Sequence, residues 1–354
     1  MTESKPSLLD LTTGDIKGMV LSLGEPSFRA FTISDWVYKK LAGSFSEMTD
    51  LPLRLRKYLN ENFQLTRLTP VIDLMSSDNL TRKVLFNLPG NVKIETVLMS
   101  YHTRNTLCVS TQAGCALGCV FCATGQAGLQ RNISAGEIVE QVLYFEKILR
   151  KSRRRLTNLV FMGMGEPFAN YSEVVKSITI LTDPACFDFG SRRITVSTVG
   201  IVPMIEKFAE DKPQVNLAVS LHAATDELRS ELMPVNKRYP IEILINACRN
   251  YVQKTNRRIS FEWALIRDVN DTPEQAGRLA ELLRGMLCHV NLIPLNHTHG
   301  YSGRESSAKK IKLFRDILTA SGIPNTVRLR RGIDINAGCG QLNQKVTLLN
   351  EYVY

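Results

Sequence analysis

The sequence lacks any apolar stretch approaching the length of a membrane span, and it has no internal repeat or low-complexity tract. Its first twenty residues are polar and include acidic side chains, without the apolar core of an export signal. A cytoplasmic protein with reduced thiols and no membrane partner is therefore expected. Cysteine occurs eight times, yet no C-x2-C or H-x3-H pair lies outside one short stretch, which argues against a structural zinc site built from two pairs. A disulfide scaffold is equally unsuited, because 354 residues with 44% hydrophobic content can bury a large core without cross-links.

What is present is a triplet. Cys115, Cys119 and Cys122 stand in Gly-Cys-Ala-Leu-Gly-Cys-Val-Phe-Cys-Ala-Thr-Gly with C-x3-C-x2-C spacing. A four-iron cluster held by cysteine alone takes four thiolates, so three leave one iron open to a substrate or cofactor. Gly114 and Gly118 permit sharp turns around the triplet, and Phe121 supplies an apolar wall. Lysine and arginine number 44 against 34 acidic residues, and the net charge of +10 suits a polyanionic partner such as nucleic acid.

Along the chain, residues 1–75 show apolar positions at helical spacing and are expected to form a small helical domain. Residues 76–105 carry a hairpin signal, runs 83–88 and 92–99 around Pro89-Gly90-Asn91, expected to act as a linker. Residues 106–300 then alternate β-rich runs (106–112, 158–164, 193–199, 215–222, 259–266 and 289–296) with amphipathic helices such as 135–150, 172–181, 241–253 and 273–285. Six β-α units in series argue for an α/β fold with a parallel sheet and helices outside, either an open sheet or a partial barrel. A C-terminal segment, 301–354, completes the chain.

In such folds chemistry gathers at the carboxyl ends of the strands. That rule puts the cysteine triplet, Gly163 to Pro167, Ser197, the Ser220-Leu221-His222 run and Asn296 on one rim. The basic runs 151–155, 192–193 and 254–258 precede strands and fall on the opposite rim as solvated faces. Singly, the rim residues read as a turn, strand-end polar groups, a core histidine and a helix cap. Together, beside an open iron, they offer glycine for close approach and hydroxyl, amide and carboxylate partners for an adenosyl nucleotide with a zwitterionic tail.

These residues resemble a known family. The triplet with Phe121 matches the radical S-adenosylmethionine (SAM) signature. Cys-Ala-Thr-Gly at 122–125, Gly-Met-Gly-Glu-Pro at 163–167, Ser-Leu-His at 220–222, Leu-Ile-Pro-Leu-Asn at 292–296 and Gly-Ile-Asp-Ile-Asn-Ala-Gly-Cys-Gly-Gln-Leu at 332–342 are similar to the RlmN family of RNA adenine methyltransferases, as is Gly-Glu-Pro-Ser-Phe-Arg-Ala at 24–30. The resemblance implies a partial (β/α)6 radical SAM barrel, a [4Fe-4S] cluster on Cys115, Cys119 and Cys122, and SAM bound by Gly165, Glu166, Ser197, Ser220, Leu221, His222 and Asn296. It implies methylation of adenine carbon 2 in 23S rRNA, and in tRNA, with two SAM per turnover, RNA binding by the N-terminal domain, and a monomer fed by an electron donor such as flavodoxin.

By the same resemblance Cys339 is the methyl carrier, Cys108 attacks Cys339 sulfur to release product as a disulfide forms, and Glu95 is the proton acceptor. Gly338 and Gly340 leave the Cys339 backbone flexible and its sulfur approachable. Gly338 stands where the family usually has alanine, which is expected to loosen the loop. From the residues alone, Cys108 reads as a buried strand cysteine and Glu95 as a solvent-facing strand residue. Cys186, Cys248 and Cys288 match no motif and are expected to be core or surface thiols. Arg131, Arg267, Arg304, Arg328, Arg330 and Arg331 lie near the active rim as candidate phosphate contacts. Two alternatives stand beside this: a Cfr-type carbon-8 methyltransferase of 23S rRNA conferring antibiotic resistance, and a non-catalytic iron-sulfur or zinc RNA-binding protein.

Overall fold

The structure, a computed structural model, describes residues 5–342. Helices α1 (Thr13–Ser22), α2 (Phe28–Ser34) and α3 (Leu53–Asn62) open the chain. A meander of β1 (Thr69–Met75), β2 (Thr81–Leu88) and β3 (Val92–Ser100) leads into β4 (Asn105–Cys108). The ribbon of β5 (Gln112–Gly114) and β6 (Leu129–Asn132) brackets the cysteine triplet and a single helical turn, α4 (Ala123–Gln126). Then follow α5 (Ala135–Lys151), β7 (Asn158–Phe161), α6 (Tyr171–Thr182), β8 (Ile194–Thr198), α7 (Val202–Asp211) and β9 (Asn216–Ser220). Next come α8 (Asp226–Leu232), α9 (Ile241–Thr255), β10 (Ile259–Leu265), α10 (Pro273–Leu283), β11 (Cys288–Pro294), α11 (Ala308–Ala320) and β12 (Asn325–Val327).

One sheet runs in the order β1-β2-β3-β4-β7-β8-β9-β10-β11-β12. Its first four strands pair antiparallel, and from β4 onward every pair is parallel. Parallel strands are covered on both faces, so they need apolar side chains on both; Leu217, Ala218 and Val219 of β9 are all buried. The six expected runs correspond to β4 and β7 through β11. Strand β12 adds a seventh parallel strand, three residues long, on the edge beside β11. Residues 69–75, expected within the helical part, form β1, and the hairpin is no free linker: β3 pairs with β4 and carries the sheet into the barrel half.

The N-terminal region meets α5 through the short helical turn Leu8–Asp10. Ser134 and Glu137 close a capping box at its start, and Arg131 holds the Glu137 carboxylate through two bonds of 2.8 Å. Residues 135–142 are buried all round the helix, as expected of a helix packed on two sides. Asp10 Oδ1 accepts from Gly136 N at 2.6 Å, and Glu140 accepts from the amides of Arg67 and Leu68. Burial pushes the Glu140 carboxyl up to about 7 despite those two amides. Among the described residues no helix is long and apolar enough to cross a membrane.

Gly136 tests this docking. A Cβ there would stand 2.8 Å from Asp10 Oδ1 and 2.9 Å from Asp10 N. Gly136→Ala is expected to cost about 1–3 kcal/mol in urea unfolding and to speed proteolysis before residue 66; unchanged stability would rule out a tight seam.

Candidate active site at the carboxyl rim

A cavity of about 170 Å³ opens at the carboxyl ends of the parallel strands. Of the expected SAM contacts, Gly165, Glu166, Ser197, Ser220, His222 and Asn296 all line it. Cys119, Cys122 and Cys339 join them. Leu221 is not among the lining residues: it follows the last residue of β9, and its side chain is fully buried in the main apolar core.

The cysteine loop is tightly made. Gly114 adopts φ +83°, and a Cβ there would overlap the Gly128 carbonyl oxygen; Cys115 N donates to that same oxygen at 2.9 Å. Among the described residues no three Cys, His, Asp or Glu side chains are gathered at ion-holding distance. Burial pushes the Cys115 thiol up to about 11 and the Cys119 thiol higher, and the neighbouring cysteine charges raise both further. Thiols at Cys115 and Cys119 whose ionisation their surroundings oppose fit, with Cys122, an iron-sulfur cluster, whose positive iron charge would reverse that repulsion.

Glu166 is held rather than free. Its carboxylate accepts from Thr198 Oγ1 at 2.6 Å, Val199 N at 2.9 Å and Phe168 N at 3.0 Å, and burial pushes it up to about 7. Its amide donates to Gln112 Oε1 at 2.8 Å, tying this turn to the ribbon around the triplet. Gly165 makes that approach possible: it has φ +99°, and a Cβ would lie 2.5 Å from Gln112 Cβ. His222, at φ +59°, accepts at Nδ1 from Ala264 N at 2.9 Å, which fixes a neutral ring with its proton on Nε2. Phe121 meets the ring edge-on at 4.9 Å. Burial, helped by the Arg229 charge, pulls His222 down to about 3.

Arg229 escaped the motif reading. Fully buried, it donates to Val199 O at 2.6 Å, Ser220 O at 3.3 Å, Leu221 O at 3.2 Å and Asn236 Oδ1 at 2.9 Å, clamping the ends of β8 and β9 to α8. Nothing in its helical run Asp-Glu-Leu-Arg-Ser-Glu-Leu distinguishes it from a surface charge.

The loop carrying Cys339 is pinned on three sides. Asn296 Nδ2 donates to Cys339 O at 3.1 Å, Ala123 N to Gly340 O at 2.8 Å, and Thr124 Oγ1 to Leu342 O at 2.6 Å. Gly338 does not loosen it: a Cβ there would meet Asn296 Nδ2 at 2.6 Å and Gln341 Oε1 at 2.7 Å, so glycine lets those amides close in. Cys339 and Cys108 both line a second cavity of about 40 Å³, next to the first, with Arg328 and Asn296 lining both. Burial, then the Cys339 charge, pushes the Cys108 thiol up to about 12 while Arg328 opposes them.

Glu95 is a correction. It is buried, 6% exposed, and Lys83 Nζ lies 2.9 Å from its carboxylate. It shares a strand face with Val97 and Met99, which line the thiol cavity, without lining it. Lys83 Nζ also donates to Asn336 O at 3.2 Å, on the Cys339 loop. Among the arginines, Arg131 is committed to Glu137, Arg330 pairs with Glu305, and Arg331 stacks over Tyr101 at 4.5 Å. Arg267 Nε donates to Glu305 O at 2.9 Å, and Arg304 O accepts from Arg267 N. Arg328 turns inward to the thiols.

Comparison with known proteins agrees with this architecture. A profile for the radical SAM superfamily matches residues 109–280, and one for the ribosomal RNA large subunit methyltransferase N-terminal domain matches residues 7–65. A Chloroflexus aurantiacus protein named probable dual-specificity RNA methyltransferase RlmN is 50% identical over 347 residues, covering 95% of this chain and 92% of its own. A Myxococcus xanthus protein named dual-specificity RNA methyltransferase RlmN 1 is 45% identical, covering 98% and 96%. The crystal structure of a radical SAM methyltransferase from Sphaerobacter thermophilus superposes with a TM-score of 0.94 at 50% identity, over 96% of this chain and 100% of that one.

A neutral buried His222 carries a signed pH consequence. Its folded value near 3 lies below the unfolded value near 6.5, so its contribution is present above pH 6.5 and lost as pH falls. Between pH 6.5 and 5 the loss is about 1.5 kcal/mol. His222→Asn, which tolerates the left-handed backbone, is expected to flatten that limb in urea unfolding; an identical slope would mean the ring is protonated in the fold.

Proposed function

The chain belongs to the RlmN family of radical SAM RNA methyltransferases, and from that membership we propose that it methylates carbon 2 of an adenine in 23S rRNA, and in tRNA, through a methylated Cys339. The observation that carries the proposal is the position of Cys339, lining both the cavity beside the triplet and the cavity that holds Cys108. A thiol that must meet a methyl donor, a base and a second thiol in turn needs access to both.

Cys115, Cys119 and Cys122 would hold an iron-sulfur cluster which, reduced by a donor such as flavodoxin, would supply a 5′-deoxyadenosyl radical from SAM, and that radical would take the hydrogen atom from the methyl group. Cys339 gives up its thiol proton and takes the methyl group of a first SAM, becoming S-methylcysteine. Once that methyl has lost a hydrogen atom, the Cys339-bound methylene bonds carbon 2 of the adenine. The adduct passes one electron to a one-electron acceptor such as the oxidised electron donor, and Glu95 takes the proton from carbon 2. Lys83 holds that carboxylate in place. Cys108 then attacks Cys339 sulfur as a thiolate; the sulfur–methylene bond breaks, the carbon takes a proton, and a disulfide forms that a dithiol reduces. The Cys108 thiol is too weakly acidic to ionise unaided, and the Arg328 guanidinium provides the charge that favours its thiolate.

Carbon 2 lies on a base edge that pairing hides, so the substrate adenine must be unpaired or extruded. Mass spectrometry of digested 23S rRNA and tRNA from cells with and without the chain is expected to show 2-methyladenosine disappearing. Loss of 8-methyladenosine instead would transfer the assignment to the Cfr-type chemistry. Anaerobically purified protein is expected to be brown, and Cys115→Ala/Cys119→Ala/Cys122→Ala to lose its iron; colourless, zinc-loaded protein would sink the radical mechanism.

A further inference from the structure

Among the described residues, two oxygens of the main cavity's lining are buried without a hydrogen-bond partner: Asn296 Oδ1 and Glu262 Oε2. Asn296 is one of the expected SAM contacts; Glu262 has no role so far. It is the fourth residue of β10, only 4% exposed, opposite Ser220 of β9 and Asn291 of β11. Its Oε1 accepts from Asn291 Nδ2 at 2.9 Å. The Asn291 amide cannot turn freely, because its Oδ1 accepts from Thr326 Oγ1 at 3.0 Å, and that hydroxyl in turn meets His289 Nε2 at 2.9 Å. Glu262 is therefore held with one oxygen spent and the other facing the cavity. A buried acceptor without a donor is costly, and a ligand bearing an N–H is the group that relieves it.

An ion pair with Arg328 is the plain alternative. Burial raises the Glu262 carboxyl above the usual carboxylate range and the Arg328 charge offsets part of that, yet no hydrogen bond joins the two side chains. The guanidinium lies instead against Cys339, whose charge is the main influence upon it, and reaches Met162 Sδ at 4.0 Å. Height along the sheet separates the two possible adenines. The cysteine loop packs with Ile266 and Leu295, whereas Glu262 is four residues deeper in β10, about 13 Å at strand rise, on the register line through Asn291 and Thr326, two residues before Arg328. A SAM seated at the triplet is near the upper level, and a base that must touch Cys339 can reach the lower one.

We propose that Glu262 accepts a hydrogen bond from the exocyclic amine of the adenine to be methylated, and so selects adenine over purines that lack that amine. This rests on the assignment of an RNA adenine as substrate. A 6-oxo purine would turn an oxygen towards Glu262 and be rejected, and a purine bearing only hydrogen there would leave Oε2 unsatisfied. In Glu262→Gln the fixed Asn291 amino group takes the new carbonyl, which turns the new amide N–H2 into the cavity as a donor. The variant then repels the amine it once received.

The test is binding, which is blind to regiochemistry. A synthetic 23S rRNA hairpin is prepared with adenosine, purine riboside or inosine at the target position, and its affinity is measured for the wild type and for Glu262→Gln. SAM affinity is measured separately without RNA. The wild type is expected to bind the adenosine hairpin roughly 10- to 100-fold more tightly than the other two. Glu262→Gln is expected to lose that preference while SAM affinity stays within about twofold. Equal binding of all three hairpins by the wild type would overturn the proposal, and that arm needs no variant to fold. Discrimination surviving in Glu262→Gln would overturn it too, as would a matching loss of SAM affinity, which would make the amine that of SAM. An 8-methyladenosine product would change the reaction assignment and leave this contact standing.

Discussion

Closure of the segment 328–342 over the strand ends is the interaction on which the rest of the site depends. Cys339 has no secondary structure of its own to position it. Its place is set by hydrogen bonds between loop carbonyls and donors at the rim: Asn296 on Cys339, Ala123 on Gly340 and Thr124 on Leu342. Two of those donors belong to the stretch that immediately follows Cys122. The cysteine triplet and the separate thiol are thus held against each other by backbone contacts, and a shift in one loop moves the other. Gly338 belongs to the same device, since any side chain there would displace the Asn296 amide.

Around that closure the buried charges are arranged by neutralisation more than by pairing. His222 is kept neutral, Glu166 is wrapped in three donors, and Arg229 is spent on four backbone carbonyls and the Asn236 side chain. A buried charge without such partners would be expensive, and here the partners are the strand ends themselves. Arg229 therefore sets the shape of the rim by drawing Val199, Ser220 and Leu221 together. Arg328 is different: its neighbours are thiols and a carboxyl, groups whose charge can change during chemistry.

Much of this was legible in the sequence wherever a local period or a spacing encodes it. The triplet, the six strand runs and the rim motifs are patterns within ten residues or so, and the parallel α/β rule sorts them onto one end. Leu221 differs from its motif neighbours Ser220 and His222 in that its side chain enters the core and does not line the cavity, which consecutive letters of a motif do not reveal. Glu95 was misread for a related reason: a charged residue on a strand reads as solvent-facing until its partner is known, and Lys83 lies across the hairpin on β2. Arg229 and Glu262 sit in ordinary helix and strand contexts, and their burial exists only after distant segments close over them. Strand β12, only three residues long and directly after Pro324, carries no period long enough to read.

The hairpin changes meaning once its pairing is seen. As a linker it would connect two bodies and leave each free to move. As part of a continuous sheet it places Lys83, Val97 and Cys108 in one register line across β2, β3 and β4, with Glu95 two residues back along β3. Lys83 then spans from the Glu95 carboxylate to the carbonyl of Asn336, three residues before Cys339. A single buried cation thus ties the proposed proton acceptor to the loop of the proposed methyl carrier. Neither oxygen could be left alone at that depth without cost, so losing one contact weakens the case for the other, and the acceptor and the carrier loop are positioned as one unit.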